Sequence, residues 1–243
     1  MLIHLTFGVA LLLGSAAAAK PFKAPRVCRP PPFVNASATR PGERFCLVVG
    51  DSVSLGYTAA LTANLSTACT VLHAPFSGDG GACDTYYGLQ CGAAWFSSTL
   101  SNAAAAEYSA IVFNFGLHDT NDDAFDEESR DEYVPLKAYG TNLVKFAALA
   151  RKYQPKAKLS WLSSTPMHFD MHLNGNVIAY NKVALSTLVT QSQVVDSHKD
   201  MYATIVSQCG KPPYYGSKLC NASTTPACTK AKNSCPLISD NEE

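Results

Sequence analysis

The chain has 243 residues, with 19 basic and 19 acidic side chains and a formal net charge of zero. That balance, without any basic run, excludes a nucleic-acid binder and a polybasic membrane-surface protein, since both need clustered cations to meet phosphates. With 47% hydrophobic and 16% charged residues, wholesale disorder is excluded too, and there is enough apolar material for one well-filled core.

Residues 1–19 form an apolar stretch whose first charge, Lys20, follows a run of small residues ending at Ala19. A membrane anchor needs about 20 strongly apolar residues, whereas this core is shorter and Ala-rich at its end, as a cleaved signal peptide is. The reading is therefore a secreted or secretory-lumen protein with no membrane span after cleavage. Residues 20–43, with Pro30, Pro31 and Pro32 in succession, read as an extended arm. The domain proper is expected over 44–243.

Phe45–Val49 is a short apolar run bounded by Gly50, as a strand buried on both faces would be. Thr70–His73, Ala110–Gly116, Leu159–Leu162 and Val194–Val195 are further strand candidates. Leu136, Tyr139, Leu143, Phe146, Ala150 and Tyr153 recur in steps of three and four, which predicts a helix opened by Pro135. Residues 177–190 give another helix, while Pro166 and Asn174-Gly175 mark the stretch between as loop. After residue 207 the pattern dissolves into Cys, Pro, Ser and Thr, so 208–243 read as a Cys-rich loop region. Strands alternating with helices predict a parallel sheet with ligands bound at the carboxyl ends of its strands.

Nine cysteines fit an oxidising compartment, and the odd count leaves one thiol unpaired or partnered outside the chain. They show no Cys-x-x-Cys spacing, which argues against zinc. His168 and His172 stand four apart, but in predicted loop, and the acidic stretch from Asp119 to Glu128 lacks the offsets of a calcium loop. No metal is expected. Asn35, Asn64 and Asn221 each open an Asn-x-Ser sequon, which predicts surface glycosylation there.

Gly50-Asp51-Ser52 places a serine at a strand end where a helix begins. Backbone amides at a helix start stabilise negative charge, so a hydroxyl there suits attack on a carbonyl that becomes an oxyanion. The same residues also suit a simple helix cap, with Asp51 or Ser52 satisfying the first amides. Both readings stand at this level.

Gly50-Asp51-Ser52 after a first strand resembles the SGNH (GDSL) hydrolase family of esterases and lipases, in which that serine is the nucleophile. Ser77-Gly-Asp-Gly-Gly-Ala-Cys-Asp-Thr85-Tyr-Tyr-Gly88-Leu89 is similar to the family's second block, whose glycine N–H helps hold the oxyanion. Gly81 is the candidate, with Gly80 and Gly78 as alternatives. Asn114-Phe-Gly116-Leu-His118-Asp119 resembles a branch in which histidine stands where most members have the asparagine of Gly-x-Asn-Asp. The resemblance then implies an oxyanion role for His118, with Asn114 as a second candidate, against a purely local hydrogen-bonding role for both. Trp161-Leu-Ser-Ser-Thr-Pro166 resembles the segment after the family's fourth strand.

The family draws its base from a C-terminal Asp-x-x-His. Asp196-Ser-His198 has one residue too few, while Asp240-Asn-Glu-Glu243 aligns with the motif but carries Glu243 where histidine belongs. Three readings stay open: a truncated or mis-spliced active enzyme in which Asp240 is the acid, an enzyme using His198 as base, and a secreted non-catalytic protein binding a carbohydrate or small ligand. The resemblance implies a three-layer α/β/α flavodoxin-like fold with a parallel sheet of about five strands, with the presence of its last helix left open. It further implies cofactor-free hydrolysis of an acyl or acetyl ester, of a small molecule, polysaccharide or lipid, through an acyl-serine.

Overall fold

The structure, a computed structural model, describes residues 28–29, 44–76, 84–97, 108–120, 134–166 and 171–209. Five strands, β1 (Phe45–Val49), β2 (Thr70–Ala74), β3 (Tyr108–Phe113), β4 (Lys158–Leu162) and β5 (Ser197–Lys199), form one parallel sheet in the order β2-β1-β3-β4-β5. The helices are α1 (Ser52–Leu65), α2 (Thr85–Trp95), α3 (Leu136–Tyr153), α4 (Met171–Ala184), extended by a π-helical segment Leu185–Gln191, and α5 (Met201–Cys209).

The crossover from β1 to β2 steps one way along the sheet, and every later crossover steps the other way. Right-handed connections therefore put α1 on one face and α2, α3 and α4 on the other, giving a three-layer α/β/α fold of flavodoxin-like order. α2 packs on α3 and α3 on α4, while α1 packs on β1 and β2. The reversal of strand order falls between β1 and β3, which opens a crevice beyond their carboxyl ends.

The core lies between the sheet and the α2–α3 layer. Leu47, Val49, Ile111, Phe113, Leu159 and Trp161 alternate along their strands and are buried, as are Tyr139, Leu143, Phe146 and Ala150 of the α3 stripe. Leu136 and Tyr153, at the two ends of that stripe, emerge to 36% and 42% exposure. Phe146 meets Phe115 edge to face at 5.0 Å, so α3 grips the chain just beyond β3. Disulfides Cys28–Cys91 and Cys46–Cys69 tie the arm to α2 and the start of β1 to that of β2. No described helix is long and apolar enough to cross a membrane.

Two expectations are corrected. The last strand is Ser197–Lys199, not Val194–Val195: β5 is an exposed edge strand whose pairing with β4 needs no apolar side chains, while the two valines pack against the core before it. α4 starts at Met171, so Asn174-Gly175 lies within a helix and not in loop; buried Asn174 accepts the Tyr202 hydroxyl of α5 at 3.3 Å, an acceptor role that fixes it there. α2 and α5 had no periodic signature in the sequence.

Candidate active site

The buried run of β1 ends at Gly50, where any other side chain is shut out: a Cβ there would stand 2.6 Å from the Ser54 hydroxyl oxygen. Asp51 follows as the N-cap of α1, its carboxylate oxygen Oδ1 accepting the Val53 N–H at 3.0 Å and the Ser54 N–H at 3.4 Å. The Asp51 carbonyl takes the N–H groups of Ser54 and Leu55. Capping thus belongs to Asp51, and the two readings of this motif separate. Ser52 is the first helical residue, it is exposed, and among the described residues neither its hydroxyl nor its N–H has a capping task. An N–H in the first turn of a helix has no intrahelical acceptor, so that of Ser52 is left over by the helix itself.

Asn114 extends the neighbouring ladder, its N–H bonding the Val49 carbonyl at 2.9 Å, which sets the loop after β3 directly beside Gly50 and Asp51. Its side-chain amide donates to the Leu162 carbonyl at 2.8 Å, bridging β3 to β4. The structure therefore commits this amide to β4 instead of bringing it to Ser52. Gly116 takes a φ of +142°, open to glycine, and a Cβ there would meet the Ser164 hydroxyl at 2.5 Å. The Phe115 carbonyl before it accepts from Tyr139 at 2.8 Å and Ser164 at 3.1 Å, so the turn carrying His118 is held from two sides.

His118 is half-buried, and it acts on both buried carboxyls, Asp51 and Asp119, lowering their pKa values against the larger upward push of burial. Asp119 is fully buried and anchors the start of α2: Oδ1 accepts the Thr85 N–H at 3.0 Å and the Thr85 hydroxyl at 2.6 Å, and Asn142 donates to that hydroxyl at 3.1 Å. Asp84 caps the same helix through the Tyr87 N–H at 2.7 Å. Three chain ends, those of β1, β3 and the segment entering α2, thus meet at one mouth.

Burial pushes the carboxyls of Asp51 and Asp119 up, that of Asp119 to about 7 despite its bonds to Thr85. In the folded chain Asp119 holds its proton between its ordinary value of 3.8 and about 7, while the unfolded chain releases it, so this group's contribution to stability falls as pH rises through that window. Asp119→Asn keeps an oxygen for Thr85 and removes the titration. Its stability relative to wild type is expected to rise between pH 4 and 7 by a few kcal/mol, at about 1.4 kcal/mol per pKa unit, and to level off above. Denaturant midpoints of both proteins across that range check this.

His198 is exposed on β5 and stacked on Trp161 at 6.3 Å. Register carries His198 to Trp161, Phe113 and Val49 in turn, so it lies three strands, about 14 Å, from the end of β1 at about 4.8 Å per strand. The structure does not bring it to Ser52. Asp196 is no partner for it either: its carboxylate binds Arg151 at 2.7 Å and the Leu159 N–H at 2.7 Å, at the start of β4, and Arg151 holds its pKa down. Asn64 is exposed at the end of α1, as glycosylation requires, with its amide on the Ala60 carbonyl at 2.8 Å. Gly78, Gly80, Gly81, His168, Asp240, Glu243, Asn35 and Asn221 lie outside the described residues.

The residue that sequence reasoning missed is His73. Its Nε2 lies 2.6 Å from the Ser54 hydroxyl, beneath the nucleophile candidate, and burial lowers its pKa to about 4. No spacing in the sequence links residues 54 and 73; the β1–β2 register does.

No family model and no curated protein matches the chain in sequence. The structure is similar to solved esterases and lipases. A psychrotrophic esterase, EstA, from Pseudoalteromonas sp. aligns with 79% of this chain and 96% of its own at a TM-score of 0.42 and 13% identity. A mutant of Axe2, an acetyl-xylooligosaccharide esterase from Geobacillus stearothermophilus, covers 68% of this chain and 78% of its own at 0.44 and 13%. A GDSL-like lipase from Bacteroides thetaiotaomicron covers 74% and 80% at 0.46 and 13%.

Proposed function

We propose that the chain is a secreted serine ester hydrolase acting on an acyl or acetyl ester. One observation carries the reading: Ser52 stands exposed at the first helical position beyond β1, at the strand-order reversal, with capping handed to Asp51 and its own N–H left for an oxyanion. The Ser52 oxygen attacks the ester carbonyl, its proton passes to a base, and the carbonyl oxygen takes the charge. The Ser52 N–H, His118 and the Gly81 N–H hold that charge. Collapse of the intermediate expels the alcohol and leaves an acyl-serine, and water then releases the acid and regenerates Ser52.

His73, bonded to Ser54, is not placed to serve as base, and His198 is three strands away. In this reading Asp240 occupies the acid's place in the family motif and Glu243 stands at the position of its base, since residues 210–243 contain no histidine. The two disulfides support an oxidising compartment, as does the expected signal peptide. The test is release of the aryl alcohol from a short-chain aryl ester by the full chain and by His198→Ala. Ester turnover that His198→Ala retains supports the reading, and no enzymatic turnover by either protein contradicts it.

A further inference from the structure

We infer that His73 and Ser54 form a hydrogen-bonded relay that aims the Ser52 N–H and strengthens it as an oxyanion donor; this rests on the reading of Ser52 as nucleophile. The peptide unit joining Asp51 to Ser52 has two ends. Its N–H, at the first helical position, has no intrahelical acceptor, and its carbonyl oxygen accepts the Ser54 hydroxyl at 2.6 Å, the Ser54 N–H at 3.1 Å and the Leu55 N–H at 3.2 Å. Hydrogen bonds accepted at a carbonyl draw electron density through the amide and make its own N–H a stronger donor, an effect that grows along a chain of bonds in low dielectric.

The Ser54 hydroxyl has one proton, and giving it to the Asp51 carbonyl leaves only lone pairs toward His73. The ring nitrogen Nε2, at 2.6 Å, must then be the donor, and Nδ1 keeps a lone pair. That lone pair is buried and has no partner among the described residues. A side chain needed only to fill space at this point of β2 would be apolar and would leave no such group unsatisfied. The polar ring is accounted for by the bond it gives Ser54. Burial keeps the ring neutral over the working range, so it polarises the relay without competing for the serine proton. Gly50 completes the arrangement, because any Cβ there would displace the Ser54 side chain.

His73 is thus a positioning residue, acting on the reaction through Ser54 and the Asp51 carbonyl. The experiment compares the full chain with His73→Leu, which cuts the relay, His73→Gln, whose side-chain N–H can replace that of the ring, and Ser54→Ala, which cuts it one bond nearer. Two quantities are read: kcat and KM on a short-chain aryl ester, and the Ser52 amide proton shift in 15N-labelled, ligand-free protein. His73→Leu and Ser54→Ala are expected to lower kcat about tenfold with KM unchanged and to move the Ser52 amide proton upfield, with His73→Gln restoring most of both. If His73→Leu does not fold, Ser54→Ala and His73→Gln carry the comparison. An unmoved Ser52 amide proton in a folded relay-cutting variant overturns the relay, as does kcat equal to wild type. Ser52→Ala run alongside separates the two ideas: hydrolysis at the wild-type rate by that variant defeats the nucleophile reading, while the amide shift judges the relay by itself.

Discussion

Ser52→Ala is expected to lower ester hydrolysis by at least about 1,000-fold while leaving the fold intact, as loss of the nucleophile does in serine hydrolases generally. The loss is large because Ser54, the nearest hydroxyl among the described residues, cannot take over. Ser54, two residues on, is buried and bonded to the Asp51 carbonyl and His73, so it faces away from the mouth. The stability cost is small because Ser52 is exposed and takes no part in capping, so the change should stay within about 0.5 kcal/mol. Initial rates on an aryl ester, with a thermal melt of each protein, check both halves. Asp51→Ala gives the reverse contrast, since it removes the side-chain cap, leaving the Val53 N–H without its acceptor and the Ser54 N–H with the Asp51 carbonyl alone, so part of its effect on rate would come through loss of order at the α1 start.

His118→Ala is expected to lower kcat about 100-fold, the usual cost of one oxyanion donor, and His118→Asn should recover most of it. The asparagine restores an N–H donor at the same position, but it cannot accept a proton near neutral pH. Were His118 the general base instead, Asn and Ala would be equally inactive. Both variants leave the turn itself supported, because Tyr139 and Ser164 hold the Phe115 carbonyl and Asp119 holds Thr85. The split between kcat and KM reads the role: a donor engaged only in the transition state changes kcat and leaves KM near its wild-type value.

β1, β3 and α3 were legible in the sequence because each buries a long or continuous apolar face, and such faces leave a periodic signal. α2 was not, because its glycines look like breaks in a helix. In the structure they are contact points: a Cβ on Gly88 would stand 2.6 Å from the Phe115 ring, and one on Gly92 would stand 2.9 Å from Leu149. These glycines let α2 approach the core closely, at a cost in helix propensity that packing offsets. β5 was placed three residues too early because an edge strand of Ser, His and Lys carries no apolar pattern. At the site, Gly-Asp-Ser was visible, but whether its serine or its aspartate caps the helix is a matter of geometry that only coordinates decide. The commitment of Asn114 to β4 and the pairing of Ser54 with His73 arise from strand register, which no local motif prints.

The claim on which the account turns is that Ser52 carries the covalent intermediate. Treating the full chain with an aryl phosphonate ester forms an oxygen–phosphorus bond at the attacking group, expels the aryl oxide, and leaves an adduct that water does not readily remove. Digestion and mass spectrometry should then find one phosphonyl group on the peptide bearing Ser52, absent from Ser52→Ala. An adduct on another residue with that peptide unmodified, or equal labelling of wild type and Ser52→Ala, would contradict it.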